Sequence, residues 1–458
     1  MQRRMNWIGT GIALAVILPL ALLFSAGVTA GKRPASSSPP AAAGQVRAPA
    51  DGVVDVELGD LYIKPSKIDV EPGQTVTFRV KNAGAGMHDF KLNGTTGTRM
   101  LEPGESETVK LGPFDAPSQI WCTMPGHKAA GMVMDVNVKG AAVAAQGVDA
   151  RTPAENNFAK IDPNKNPGPE WKPFDPTLKP AEGGTVHNVT IVASEKQIEV
   201  APGVMQEMWT FNGQVPGPVL RGEVGDVFNI TLKNEGTMGH SIDLHASKVA
   251  WNDEMRTINP GESLTYQFEA KFAGAFMYHC GTAPALHHIG NGMFGAIIID
   301  PPNLAPVDHE FIFMQHELYL GEPGGPGDLF KMQDEQEDAV VFNGYYNQYK
   351  FAPIRVEPNQ RIRAWVVDDG PNENSSFHIV GTVFDTMFKE GAYTLQPDAN
   401  HGGAQALDLQ PAQGGFVEFS FDEPGLYLMV THKFANVGKG ALGIFQAGEV
   451  AVEGMAGH

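Results

Sequence analysis

Cysteine is nearly absent from this sequence. The two present among 458 residues, Cys122 and Cys280, cannot build a disulfide framework and at most form one bridge. Charged residues are also few, and basic ones fewest: 33 Lys and Arg against 52 Asp and Glu give a formal net charge of −19. This excess of acid speaks against nucleic acid and against an anionic membrane surface as partners. Glycine (53) and proline (34) are plentiful, and they punctuate runs rich in Val, Ile, Thr and Phe. That pattern predicts an all-β protein with many tight turns. The length predicts about three domains.

The first residues stand apart. Arg3 and Arg4 precede the apolar stretch from Ile12 to Phe24, and small residues follow as far as Ala30. Residues 1–33 therefore read as an export signal or as a retained membrane anchor, since the apolar run from Trp7 to Ala30 is long enough to span a bilayer. Either way the remainder is expected outside the cytoplasm, whether periplasmic, at the cell surface or secreted. Residues 34–50 form a Pro/Ala/Ser tether without periodicity.

The body of the chain repeats itself. "EPGQTVTFRVKNAGAGMH" ends at His88 and "EVGDVFNITLKNEGTMGH" ends at His240; each is an alternating strand, then Lys-Asn, then a His six residues after the Asn. Downstream, "PGESET" (Pro103 to Thr108) matches "PGESLT" (Pro260 to Thr265), and a cysteine follows each at nearly the same distance. A fainter third copy runs from "EPNQRIRAWVVDD" to "PGLYLMVTHKF" and has no cysteine. The expected architecture is three Greek-key β-sandwich units at 51–140, 185–302 and 303–453. A Pro/Asn/Lys-rich connector, 141–184, separates the first two, whereas the second and third follow so closely that they should pack as one body.

Each cysteine lies among potential metal ligands. The first unit offers His88 and then Cys122-x4-His127-x4-Met132; the second offers His240, Cys280, a His and Met293. One thiolate, two imidazoles and a weak thioether are the ligands of a mononuclear blue copper centre, which exchanges electrons with little rearrangement. Structural zinc favours four strong ligands and paired cysteines, and a nucleophilic or merely buried cysteine is the other alternative. His127-x4-Met132 is matched by His288-x4-Met293, so His288 is expected to be the ligand and His287 a flanking residue.

The second unit carries more. Along "HSIDLH", His240 points to one face of a strand, whereas Asp243 and His245 point to the other. His279 and Cys280 are neighbours and also face opposite ways. If His240 and Cys280 hold a metal inside, His245 and His279 can meet outside, beside Asp243. Two imidazoles and a carboxylate form an unfinished second metal site, in need of a further ligand. The plain alternative is three unrelated surface or core residues. The first unit is an internal control: it has Lys91, Asn93 and Trp121 at these positions and should only carry electrons. The third unit offers His378 and His432 near the equivalent places. His187, His309, His316, His401 and His458 match no spacing.

These residues resemble copper-containing nitrite reductases, two-domain cupredoxin enzymes of the multicopper oxidase superfamily. "FNGQVPGP" (Phe211 to Pro218), "HSIDLH", "YHC…HHIGNGM" and the late "VTH" follow in family order over about residues 185–453. The first unit resembles a plastocyanin-like cupredoxin fused in front. The resemblance implies that His240, Cys280, His288 and Met293 bind an electron-transfer copper, and that His245, His279 and His432 bind a catalytic one. It implies that the third His comes from a neighbouring subunit of a homotrimer, and that Asp243 and His378 are the catalytic acid/base pair. With a further copper at His88, Cys122, His127 and Met132, three coppers per chain are expected. The reaction implied is one-electron reduction of nitrite to nitric oxide, fed by a small redox protein or a quinol-linked carrier. The Cys-to-His loop is shorter than in the best-known members and contains the extra His287. A laccase-like oxidase needs His-x-His pairs, and this sequence has none. A copper carrier without catalysis would leave Asp243, His245, His378 and His432 unexplained. Counting coppers separates the three: three per chain for the reductase, two for the carrier, more for the oxidase.

Overall fold

The computed structural model describes residues 46–47, 53–139 except positions 61, 85, 125, 126, 129 and 130, then 158–397 and 401–450. The expected leader, most of the tether, the first part of the connector and His458 lie outside these residues.

Three sandwiches succeed one another. The first packs a sheet of Tyr62–Lys64, Val53–Gly59, Gln74–Asn82 and Ser106–Phe114 against one built around Lys67–Val70, Val133–Val138, Ser118–Trp121 and Lys91–Leu92. The second packs Val204–Phe211, Val186–Ala201, Val227–Asn234 and Ser263–Glu269 against Leu220–Glu223, Phe294–Asp300, Gly274–His279 and Asp243–Leu244. The third pairs a six-stranded sheet centred on His309–Leu318, Ile362–Gly370 and Gly414–Phe419 with a five-stranded one centred on Gly425–Thr431. This is an all-β cupredoxin fold. Strands with one wet face alternate, as in Gln74–Asn82 and Val227–Asn234, where every second side chain is buried. Ile362–Gly370 is buried along its whole length because it has protein on both sides.

That second side is the second unit. Ala275, Met277, Phe294, Ala296 and Ile298 form one core with Ile312, Met314, Trp365, Val367, Phe388 and Phe416. Each such large apolar side chain contributes about 1.5–3 kcal/mol on burial, so the two units share their stability. The described part of the connector is pinned to the third unit: Ala159 donates to the Gly321 carbonyl (2.9 Å), Leu178 donates to that of Glu310 (2.9 Å), and the Trp171 ring packs against that of Tyr345.

His316 is buried in this shared region against the Phe294 ring, 4.6 Å between centroids. Its Nδ1 lies 3.1 Å from the Glu317 carbonyl and its Nε2 has no partner. Burial pushes its pKa down to about 4. The unfolded chain takes up a proton near pH 6.5 that the folded chain refuses, so this stability is complete above pH 6.5 and is lost as pH falls to about 4. The loss is about 3 kcal/mol. Denaturant titrations of wild type and His316→Gln between pH 7 and 4 should show the shallower slope in the variant; equal slopes would discount the effect.

Candidate metal centres

Both cysteines are free and buried at the ends of strands. The loops that follow are built alike. Cys122 N–H donates to the Met132 carbonyl and Met132 N–H to that of His127; Cys280 N–H donates to the Met293 carbonyl and Met293 N–H to that of His288. The second loop is longer because it contains a helical turn, Ala285–Gly290. The loops carrying the upstream histidines also match. Asn82 Nδ2 donates to the Gly86 and Leu101 carbonyls, and Asn234 Nδ2 to those of Met238 and Ile258. His88 then bridges to Leu101, and His240 to Ile258.

This framework gathers His88, Cys122 and His127 in one buried cluster and His240, Cys280 and His288 in another, their ligand atoms all within 4.8 Å. Met132 and Met293 are fully buried in the cores that hold the two cysteines. In the second unit Cys280 Sγ lies 3.4 Å from His288 Nδ1 and accepts the Ser241 N–H at 3.3 Å. In the first, Sγ of Cys122 lies 3.9 Å from His88 Nδ1. The Nδ1 atoms of His127 and His240 are buried without any hydrogen-bond partner. Inward-facing orphan imidazole nitrogens beside a thiol fit a soft metal and have no structural use otherwise.

The electrostatics differ between the two. Burial pushes the Cys122 thiol up to about 12. Burial alone would raise Cys280 too, but the His288 and His240 imidazoles overcome it and hold the thiol well below its ordinary value. Burial would lower His240, but the neighbouring Cys280 thiol and the Glu195 carboxylate at its Nε2 raise it to about 9. His127 falls to about 3, through burial and then the charge of His88.

His287 is elsewhere. Its Nε2 donates to the Gly327 carbonyl at 3.0 Å, and its ring packs 4.5 Å from that of Trp209. It fastens the helical turn to a loop of the third unit.

Asp243, His245 and His279 form a third cluster on the outer face, with atoms within 4.8 Å. Asp243 is directly opposite His279 in the antiparallel pair. His279 Nδ1 donates to the Cys280 carbonyl at 3.0 Å, which leaves its Nε2 a bare lone pair. That atom is 3.0 Å from Nε2 of His245. Desolvation and then the neighbouring His279 lower the His245 pKa, which favours the neutral, ligating ring. In the first unit Lys91 is opposite Trp121 in the same way, with Lys128 over the indole at 3.5 Å. His378 and His432 are not part of the outer cluster within one chain. They form a pair of their own in the third unit, ring centroids 5.2 Å apart, with the ring of Phe434 5.5 Å from His432. His378 Nδ1 donates to the Gln405 carbonyl, so its Nε2 is the atom open to exchange a proton.

The first two units meet through matching surfaces. Met87 reaches the backbone at Gly239, the residue in the same place before its histidine; Asn259 Nδ2 lies 3.4 Å from Glu102 Oε1, another equivalent pair. Met124 packs against both cores. The ends of the two sandwiches that carry the buried His/Cys clusters therefore face each other.

Cupredoxin sandwiches with Cys/His/His/Met pockets and an outer histidine cluster define a copper protein of multicopper oxidase type, and residues 192–304 match the multicopper oxidase family model. The chain is 35% identical over 261 residues to the copper-containing nitrite reductase of Neisseria gonorrhoeae, a match spanning 54% of this chain and 65% of that protein. It is 27% identical over 292 residues to that of Cereibacter sphaeroides, covering 57% and 76%. The solved copper nitrite reductase of Nitrosomonas europaea superposes with a TM-score of 0.53 at 30% identity, over 57% of this chain and 94% of that one. The chain belongs to the copper-containing nitrite reductase family. It spans 65–66% of the length of the Neisseria relatives it matches.

Asp60 and Glu195, partners of His88 and His240, were not legible as site residues. Each is far from its histidine in sequence, and only strand register brings it there.

Proposed function

We propose that the chain reduces nitrite to nitric oxide and water, taking one electron and two protons per turnover, outside the cytoplasm. One observation carries this reading: His279 and Cys280 are adjacent, yet belong to two different clusters on opposite faces of their strand. His88, Cys122, His127 and Met132 would hold one copper, and His240, Cys280, His288 and Met293 a second. His245 and His279, with His432 of a neighbouring copy in a homotrimer, would hold the catalytic one. Bound copper would supply one-electron transfer at the two thiolate sites and a Lewis-acidic open position at the three-histidine site. Phe434 supports the shared site, since this ring beside His432 is 62% exposed and wants cover.

The residues divide the work. The Cys280–His279 peptide offers a short covalent route between the inner and outer clusters. Asp243, opposite His279, would donate a hydrogen bond and then a proton to the nitrite oxygen. His378 would hold the second proton at Nε2. Two groups required in opposite protonation states give a bell-shaped pH dependence. The facing ends of the first two units support a relay in which the Cys122 site passes electrons from an outside donor, a small redox protein or a quinol-linked carrier, to the Cys280 site. Purified protein with a reduced dye and nitrite should release nitric oxide; none from copper-loaded protein would defeat the reading. A chain beginning at residue 158 keeps the segment pinned to the third unit. It should retain dye-driven turnover and take electrons from the natural donor more slowly; an equal rate would remove the relay.

A further inference from the structure

Each upstream histidine of the two buried clusters is held from behind by a carboxylate. His88 Nε2 lies 3.1 Å from Asp60 Oδ1, and His240 Nε2 lies 3.3 Å from Glu195 Oε1. The repetition is structural. Leu58 is the parallel-strand partner of Asn82 and Ala193 that of Asn234, and each acid comes two residues later. A glycine two residues after each asparagine makes the room. A Cβ on Gly84 would stand 2.6 Å from Asp60 Oδ1 and 2.8 Å from His88 Nε2, and one on Gly236 would stand 2.6 Å from Glu195 Oε1. Register, glycine and acid have been kept together in both units.

The surroundings of the two acids are unequal. Asp60 is 43% exposed and accepts a hydrogen bond from Gly86 N–H at 3.1 Å. Glu195 is 13% exposed, and its two oxygens accept the Thr237 N–H at 3.1 and 3.0 Å. A carboxylate accepting the far N–H of a ligating imidazole fixes its tautomer and makes it a stronger donor. Its negative charge also favours the oxidised metal, more strongly where water screens less.

Resting on the reading that the Cys280 cluster holds an electron-transfer copper, we infer that Glu195 is a positioning residue that sets that copper's reduction potential low. Asp60 does the same, more weakly, at the Cys122 site. The inequality draws the two potentials apart and favours the onward transfer from Cys280 towards His279, at the cost of driving force from Cys122.

The test uses full-length, copper-loaded protein. With Cys122→Ser as background, one thiolate–copper band remains and its potential is read by spectroelectrochemistry. Glu195→Gln keeps an acceptor for His240 and removes the charge. The band should persist while the ratio of reduced to oxidised copper at fixed applied potential rises at least tenfold, about 59 mV for one electron. Gly236→Ala, which keeps the charge but crowds it away from the ring, should shift in the same direction. In the Cys280→Ser background, Asp60→Asn should shift the Cys122 site by less. An intact band with an unmoved potential in both Glu195→Gln and Gly236→Ala overturns the inference. So does an Asp60→Asn shift equal to or larger than that of Glu195→Gln. Absence of a thiolate–copper band in the Cys122→Ser parent itself would instead overturn the copper reading, and the inference with it.

Discussion

Asp243→Asn is expected to leave both thiolate–copper bands unchanged and to lower nitrite turnover by about 10²–10⁴-fold, the usual share of a general acid. Asp243 lies across the strand pair from His279, on the face away from Cys280. Its removal should therefore not be felt at the thiolate. Asparagine fills the same volume and can still donate a hydrogen bond, but it cannot release a proton. Nitrite binding should survive better than turnover, so the loss should fall on kcat. The acidic limb of the pH–rate profile should change with it. Near wild-type turnover would show that the proton comes from elsewhere.

His432→Ala should remove one copper per chain and leave the blue colour. Within a single chain His432 pairs with His378 and stands apart from the outer cluster. Loss of copper from that cluster on changing His432 would thus mean that two chains build one site. Mixing makes the test sharper. If the chains share sites as proposed, mixed assemblies of His432→Ala and Asp243→Asn chains contain some sites in which the first supplies Asp243, His245 and His279 and the second supplies His432. Such mixtures should recover part of the turnover that neither variant has alone. Full copper in His432→Ala, or no recovery on mixing, would rule out the shared site.

Much of this was legible in the sequence because the signals are local. A Cys-x-His-x-Met spacing survives folding as one loop, and the opposite facing of His279 and Cys280 needs only the alternation of a strand. The choice of His288 over His287 came from matching one repeat to the other, and the structure brings His288, not His287, to Cys280. Other features depend on pairings between distant strands. Asp60 and Glu195 acquire their meaning from the parallel register with Gln74–Asn82 and Val227–Asn234. The glycine after each Lys-Asn-x was the only local trace of them. The described part of the connector, from residue 158, gave no periodic signal because it packs as irregular coil, through backbone hydrogen bonds and single aromatic contacts. The meeting of the first two units is a matter of surface fit, which no spacing encodes.

Under the proposed relay, that meeting has a kinetic meaning. Met124 packs against the cores of both units, and equivalent residues meet across the contact, as in the self-complementary interface of a symmetric dimer. A freely diffusing donor delivers electrons at a rate proportional to its concentration and must leave before the next arrives. A donor folded onto its acceptor has a constant effective concentration, and its docking step is unimolecular. Dilution, salt and competing carriers then act only on the outward side of the first unit. Partner choice can be altered there without disturbing the histidine cluster where the chemistry would occur.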